Sequence, residues 1–260
     1  FPQMDLHAST QMTILSGDEA ELYKNYGVTR FVPARECTIE EIRAMRAQTD
    51  LEIEVFVHGA LCYCYSGQCL MSEEIGDRSG NRGMCAQPCR LPFTSAYGNG
   101  HLFSTKDMCT LMHIPELVDA GIDSFKIEGR MKRPEYVAAA VTACRQALEN
   151  GKPEGALSRQ LQAVFSRSGF TDGYYTGQRG RAMFGTRSRE NVSAAAPVLK
   201  ELSHLYEKER PLIGVAFSFT MRPGIPLTLT AEARGQSARV QSEKLPEAAL
   251  TRPLTEVEVT

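Results

Sequence analysis

The sequence has no tryptophan, and no apolar run approaches the roughly 20 residues that a membrane-spanning helix needs. Neither sign of charge dominates, because 29 Lys and Arg residues are balanced by 31 Asp and Glu residues, for a net charge of −2. Because the net charge is so small, the protein as a whole is not attracted to nucleic acids or anionic membranes. Binding to either must depend on a local patch of positive charge. We therefore expect a cytoplasmic protein with no membrane partner.

Several common catalytic and metal-binding motifs are also missing. The chain contains no Gly-x-Ser-x-Gly, His-Glu-x-x-His or P-loop pattern, and no paired Cys-x₂-Cys knuckles of the structural zinc type. A hydrolase would therefore need a nucleophile or metal site that these patterns do not supply. With 260 residues, the chain can bury roughly three quarters of its unfolded surface and needs no disulfide or metal merely to fold.

The cysteines are clustered rather than spread along the chain. Five of the eight lie in one loop with the spacings C-x-C-x₄-C and C-x₃-C. Such clustering in an α/β protein favours metal or iron–sulfur ligation, although disulfides and buried thiols remain alternatives. Four thiolates could hold zinc or a [4Fe–4S] cluster, and spacing alone does not choose between them. The five loop cysteines are Cys62, Cys64, Cys69, Cys85 and Cys89.

Strand and helix patterns alternate through the first half of the chain. Strands are predicted at 3–11, 28–34 and 52–58, with helices between them at 18–26 and 39–48. The second of these helices begins with a capping box of Thr38 and Glu41. Further strands are predicted at 102–105 and 123–130, and Pro134 begins a long helix that ends at Asn150. This order is typical of parallel βαβ units.

Two of the predicted strands have one apolar and one polar face. In the strand at 52–58 the polar face carries Glu52, Glu54, Phe56 and His58. The strand at 123–130 presents Lys126, Glu128 and Arg130 in the same way. Polar inner faces are typical of the C-terminal part of a TIM-like (β/α) barrel with function at the strand ends, although these charges could instead form an internal ion-pair ladder.

Only four or five strands are visible and a barrel needs eight, so either the first strands are missing from this chain or the sheet is open. We predict a partial TIM-like barrel over 1–190 with a cysteine-rich loop at 59–90, then a linker at 191–210. Apolar residues alternate from Ile213 to Met221 and again from Leu227 to Ala233, which predicts a small antiparallel β module over 211–260. We expect this module to be truncated and the chain to be a fragment of a longer protein.

The segment 166–189 is rich in glycine, tyrosine and arginine. It contains five arginines and a single acid. A solvated loop is one interpretation, and an arm that contacts nucleic-acid phosphates is the other.

Residues 54–72 contain the pattern E-x-F-x-x-G-A-L-C-x₄-G-x-C-x-M-S, which matches the signature of the peptidase U32 (collagenase-like) family. The blocks GNRGMCAQPCR, STKDMC and DSFKIEGRMKRPEY resemble other parts of that family. The resemblance covers roughly residues 3–175 and implies a TIM-like barrel. The β module resembles the domain of unknown function in the long members, among which one hydroxylates a cytidine of 23S ribosomal RNA.

The family is named for a protease, but the resemblance implies oxygen-independent hydroxylation of RNA bases or ubiquinone precursors with a four-cysteine [4Fe–4S] cluster. Prephenate is involved in the RNA enzymes. Carried over by motif, the predicted ligands are Cys62, Cys69, Cys85 and Cys109, with Cys89 as the rival for the fourth position. Zinc is the alternative metal. Cys64 and Cys144 are expected to be bystanders.

Three functional hypotheses follow: an RNA-modifying hydroxylase, a peptidase with or without metal assistance, and a non-catalytic binding scaffold. The first predicts RNA and a small carboxylate such as prephenate as partners, and exposed barrel edges would favour homo-oligomers. The predicted catalytic residues are Glu128, His58 and Lys126. The predicted substrate-binding residues are Lys126, Arg130, Arg35 and Glu54.

Overall fold

A computed structural model describes residues 3–96, 98–130, 132–207 and 213–248. The chain divides into two compact units, Phe1–Glu207 and Lys208–Thr260. The first is a mixed α/β unit with a largely parallel sheet, and the second contains a small antiparallel sheet. Within the described ranges, every helix is too short or too polar to cross a lipid bilayer.

The first unit contains eight strands and eight helices among its described residues. The strands are β1 (Leu6–Ala8), β2 (Val28–Phe31), β3 (Glu52–Ala60), β4 (Phe93–Ser95), β5 (Gly98–Gly100), β6 (Asp107–Cys109), β7 (Ser124–Ile127) and β8 (Phe170–Thr171). The helices are α1 (Gly17–Lys24), α2 (Ile39–Gln48), α3 (Met71–Gly76), α4 (Ile114–Asp119), α5 (Pro134–Asn150), α6 (Gly155–Val164), α7 (Arg189–Leu202) and α8 (His204–Glu207).

The main sheet has the strand order β1-β2-β3-β6-β8, and β7 also pairs with β3. The pairs β1–β2, β2–β3 and β3–β7 are parallel, which confirms the predicted parallel βαβ units. Strand β6 runs antiparallel to β3, whereas all eight strands of a TIM barrel are parallel. The described strands therefore form a mixed sheet, and closure into a barrel stays a prediction.

Helix boundaries were predictable where a local signal marks them. The capping box of Thr38 and Glu41 is present at the start of α2, and Pro134 is the first residue of α5. On β3 the apolar residues Ile53, Val55 and Val57 are buried in the core beneath the helices, as the alternation predicts. Each such buried side chain contributes about 1.5–3 kcal/mol relative to exposure.

Two predicted segments differ from the structure. The strand predicted at 102–105 lies instead at β6, and Thr105 makes only an isolated bridge to Phe184. The linker predicted at 191–210 is largely helical, because Ser188 and Asn191 form a second capping box that starts α7. Burial of Leu202 attaches this helix to the core of the first unit.

The second unit has three antiparallel strands, as the alternation predicts. They are β9 (Ala216–Arg222), β10 (Ile225–Ala233) and β11 (Gln236–Gln241), with β10 in the centre. Residues 249–260 of the predicted β module lie outside the described residues.

The alternation of β3 is interrupted just before its end. In the pairing with β7, Phe56 is opposite Lys126 and His58 is opposite Ile127, so two residues of β3 correspond to one of β7. After such a bulge, each later side chain of β3 lies on the opposite face of the sheet from the one that regular alternation predicts. The next residue, Gly59, has φ 129° and lies so close to β7 that an added Cβ would be 2.6 Å from the Glu128 Cβ.

We expect Gly59→Ala to destabilise the first unit by about 2–4 kcal/mol, because the substitution combines left-handed backbone strain with a clash against β7. Gly76→Ala is the matched control, since its Cβ would meet no atom within 4 Å. Urea unfolding of both variants measures the difference. Equal midpoints for the two variants would contradict the close approach of β3 and β7.

Candidate active site

The cysteine-rich loop begins at the end of β3. Its Ser66 is hydrogen-bonded to the segment that follows β2. The buried carboxylate of Glu36 accepts hydrogen bonds from the Ser66 backbone N–H at 3.0 Å and from its hydroxyl at 2.9 Å. The Arg35 backbone N–H donates to the Ser66 hydroxyl, and the Thr13 hydroxyl donates to the Ser66 backbone carbonyl. These bonds satisfy a buried charge and fix the first half of the loop.

The loop brings several of its thiols within electrostatic range of Cys89, and Cys64 within range of Cys69 and Cys62. Burial raises the pKa of the Cys89 thiol; the Arg90 guanidinium opposes this, and Cys62, Cys85 and Cys69 raise the pKa further. The pKa of Cys64 is likewise raised by burial and by Cys69 and Cys62. Three of the four predicted ligands therefore lie in one group, and Cys89 belongs to it.

Cys109 does not belong to that group. It lies on β6, opposite His58 in the antiparallel pairing, and lines a cavity of about 350 Å³ together with Phe170 and Asp172. Burial raises the pKa of its thiol to about 11, and the nearby charge that adds to this is the Asp172 carboxylate. Cys109 and Cys89 thus have different surroundings, and the choice between them as the fourth ligand stays a prediction.

All eight cysteines are free thiols. Among the described residues, no group of three or more His, Cys, Asp or Glu side chains is arranged to hold a metal ion. The donor chemistry of the loop nevertheless suits a soft metal centre, because thiolates are the usual ligands of iron–sulfur clusters and of structural zinc. Cys62, Cys64, Cys69 and Cys89 are half-buried and Cys85 is exposed, so the group is accessible from outside.

The polar faces of β3 and β7 meet in an ion pair. The Lys126 ammonium donates to the Glu54 carboxylate at 2.6 Å, the Ser124 hydroxyl donates to it at 3.0 Å, and Arg30 lies 3.5 Å away. Burial opposes ionisation of Glu54, but these partners outweigh it and hold its pKa below the usual value. The ion-pair alternative therefore describes Glu54 and Lys126 well.

Arg35, which we predict to bind substrate, lies beside the same strand. Its guanidinium carbon is 5.7 Å from the Phe56 ring centroid, and the Lys126 ammonium is 5.4 Å from that centroid. The Arg35 Nε is buried without a hydrogen-bond partner in the described part of the chain. Two cations thus flank one ring near the end of β2.

The end of β7 reaches the cysteine loop. The Glu128 carboxylate accepts a hydrogen bond from the Arg130 backbone N–H at 2.8 Å. The Arg130 guanidinium donates to the Gly83 carbonyl at 2.7 Å, two residues before Cys85. Arg130 therefore contacts the cysteine loop two residues before Cys85, and Glu128 is held beside Arg130.

His58 lies elsewhere than predicted. Because of the bulge in β3 it points into the core, where it is 0% exposed, and neither ring nitrogen has a hydrogen-bond partner among the described residues. Its ring packs 5.6 Å from Tyr136 and 5.1 Å from Phe170. Burial, with a smaller effect of the Lys132 charge, lowers its pKa to about 4. The histidine is therefore neutral near pH 7 and shielded from solvent.

Sequence reasoning did not identify the buried ion pair behind the loop. The Arg167 guanidinium donates to the Asp107 carboxylate at 2.6 Å and to the Gln87 side-chain oxygen at 3.4 Å. Asp107 lies in the STKDMC block and Gln87 in the cysteine block, so the family motifs mark their positions but do not predict the pairing. Arg90 fixes the same region by donating to the Thr105 carbonyl and hydroxyl.

The arginine-rich segment 166–189 is partly internal. Arg167 binds Asp107, Arg179 donates to the Glu36 carbonyl at 2.9 Å, and Arg187 donates to the Val164 carbonyl at 2.8 Å. Three of its five arginines therefore hold the chain itself, and Arg181 and Arg189 remain exposed for an external contact.

We expect acid to destabilise the protein partly through His58. The unfolded state binds a proton near pH 6.5 and the folded state only near pH 4, so stability falls as the pH drops between these values, by roughly 3 kcal/mol in total. His58→Phe should flatten this part of the pH profile, and the exposed His7→Phe should not. Chemical unfolding from pH 7 to pH 4 measures it. Equal acid sensitivity of the two variants would show that His58 is protonated in the folded state.

Comparison with known proteins identifies a matching protein family and several relatives. Residues 1–184 match the profile described as Peptidase family U32. The 23S rRNA 5-hydroxycytidine C2501 synthase of Escherichia coli K12 is 44% identical over 156 residues, which are 57% of this chain and 24% of that protein. The tRNA hydroxylation protein P1 of Bacillus subtilis is 38% identical over 161 residues, which are 57% of this chain and 38% of that protein.

A further relative carries a protease name. A protein named Collagenase from Porphyromonas gingivalis W83 is 36% identical over 203 residues, which are 68% of this chain and 49% of that protein. The chain thus spans from about a quarter to about half of the length of these three curated relatives. No solved structure matches the chain.

Proposed function

The chain belongs to the peptidase U32 family, and we propose that it is part of an enzyme that hydroxylates an RNA base, in the manner of 5-hydroxycytidine formation in 23S ribosomal RNA. The observation that carries this proposal is that several loop thiols lie near one another, in a loop that Arg130 contacts at the Gly83 carbonyl just after the end of β7. The names of the rRNA and tRNA relatives support RNA as the substrate class. A TIM-like barrel belongs to the same proposal, supported by the parallel strands β1, β2, β3 and β7.

In this proposal Cys62, Cys69, Cys85 and Cys89 hold a [4Fe–4S] cluster, with zinc as the alternative. A bound iron–sulfur cluster supplies one-electron transfer at a potential that nearby charge and hydrogen bonds adjust. Two such hydrogen bonds are already present at Cys85, where the Ser72 hydroxyl lies 3.8 Å and the Gln87 N–H 3.3 Å from the sulfur.

The remaining roles go to side chains at the end of β7. Arg130 is exposed and uses one guanidinium nitrogen on Gly83, so its other donors can bind a carboxylate co-substrate such as prephenate. Lys126 contributes positive charge but is already paired with Glu54. Glu128 is the proposed proton acceptor, because it lies next to Arg130 and is half-buried. His58 has no part in this scheme, since it is neutral and enclosed.

Anaerobic purification tests the ligand set. We expect about four iron and four sulfide per wild-type chain, loss of most iron in Cys89→Ala, and retention in Cys109→Ala, which serves as the matched control. Iron and sulfide analysis with an absorption spectrum measures the content. The opposite result for these two variants would restore Cys109 as a ligand, and no iron in the wild type under any condition would refute the cluster.

Ribonucleoside mass spectrometry tests the reaction. A strain that lacks the gene should lose a hydroxylated nucleoside, and the full-length gene should restore it. Full-length genes that carry Cys85→Ala or Glu128→Gln should leave less than a tenth of the modification, because the first removes a proposed cluster ligand and the second removes the proposed proton acceptor. Lys152→Gln, on the exposed surface after α5, is the control that should restore it fully. An unchanged ribonucleoside profile in the deletion strain contradicts the proposal.

A peptidase is the second candidate, supported by the relative named Collagenase. In this alternative the loop thiols are the reacting groups, since the described residues contain no group of three or more His, Cys, Asp or Glu side chains arranged to hold a metal ion. Peptide cleavage that survives purification and disappears in Cys62→Ser would favour it over RNA hydroxylation.

A further inference from the structure

Three cations surround one phenylalanine ring near the cysteine loop. The Lys132 ammonium lies 2.8 Å from the Phe165 ring centroid, and the guanidinium carbons of Arg187 and Arg167 lie 4.6 Å and 5.0 Å from it. Each cation gains from the negative face of the ring, but the three also repel one another. We name Lys132, Arg167 and Arg187 the cation cluster.

The carboxylates nearby do not neutralise this cluster. Asp107 lies 2.6 Å from Arg167 and is committed to it by a second hydrogen bond from the Arg167 backbone N–H. Within the described ranges, no carboxylate lies within ion-pair distance of Lys132 or Arg187. Arg187 binds only a carbonyl oxygen, and Glu128 acts on Lys132 from a distance. Two positive charges are therefore left without a counter-ion.

Burial makes this excess charge costly. Arg167 is 8% exposed, and Lys132 and Arg187 are half-buried. Burial lowers the pKa of Lys132 to about 7; Asp107 and Glu128 oppose the shift, and Arg167 and Arg187 add to it. Burial also lowers the pKa of Arg187. A bound anion would relieve both the desolvation and the repulsion.

We propose that the cation cluster is a binding site for one oxyanion, a phosphate or a carboxylate, recognised by Lys132 and Arg187. Arg167 is held by Asp107 and also donates to the Gln87 side chain of the cysteine loop. Its role is to add positive charge next to Lys132 and Arg187. Two half-buried cations without a carboxylate partner are typical of phosphate and carboxylate recognition. The site needs neither a metal cluster nor RNA modification, so it stands or falls separately from the proposed hydroxylation.

Thermal unfolding of the full chain at pH 6.5 tests the site, with inorganic phosphate replacing chloride at constant ionic strength. We expect a saturable rise in Tm of about 3–5 °C at a phosphate concentration ten times the Kd. Lys132→Met should remove this response and still fold, because the change deletes a repelled charge and keeps the side-chain volume. Lys132→Arg should keep the response, as should the exposed control Lys152→Met.

Arg187→Met serves as the second test variant, so the result does not depend on the folding of Lys132→Met. A parallel titration with malonate identifies the source of the oxyanion. A larger shift with phosphate assigns the site to a nucleotide or RNA phosphate, and a larger shift with malonate assigns it to a small carboxylate. No shift in the wild type, or equal shifts in the wild type and both methionine variants, would overturn the proposal.

Discussion

The arrangement of the site depends on the irregular pairing of β3 with β7. A bulge between Phe56 and His58 places two residues against one and reverses the faces of everything that follows on β3. Gly59 then permits an approach to Glu128 that no side chain would allow. This one local irregularity places His58 in the core. It also brings the residues after β7 next to the start of the cysteine loop.

The cysteine loop has little regular structure and is held from outside by single polar contacts. The buried Glu36 carboxylate fixes Ser66 near the start, Arg130 binds the Gly83 carbonyl in the middle, and Arg90 binds the Leu61 and Thr105 carbonyls at the end. Each contact joins the loop to a different part of the α/β unit. Thiols on such a loop keep room to adjust around a ligand while their neighbourhood stays fixed.

Positive charge surrounds the thiols on two sides. Arg130 lies at the end of β7, and the cation cluster lies behind Gln87. Thiolates and anionic ligands are both stabilised in such a field. The pKa of Lys132 is lowered mainly by burial, and Arg167 and Arg187 lower it further. The same electrostatic arrangement therefore connects the loop chemistry with the proposed oxyanion site.

The sequence by itself determined what local signals and motifs encode. Capping and proline fixed the starts of α2 and α5, alternation identified the core side of β3 and the second sheet, and the motifs identified the family and three of the clustered cysteines. Only the tertiary structure showed that Cys89 lies near Cys62, Cys69 and Cys85, that His58 is enclosed, and that Asp107 pairs with Arg167 across 60 residues of chain. The physical reason is twofold. A bulge reverses which residues of a strand face the core, and pairs between distant residues depend on tertiary packing that local sequence patterns do not encode.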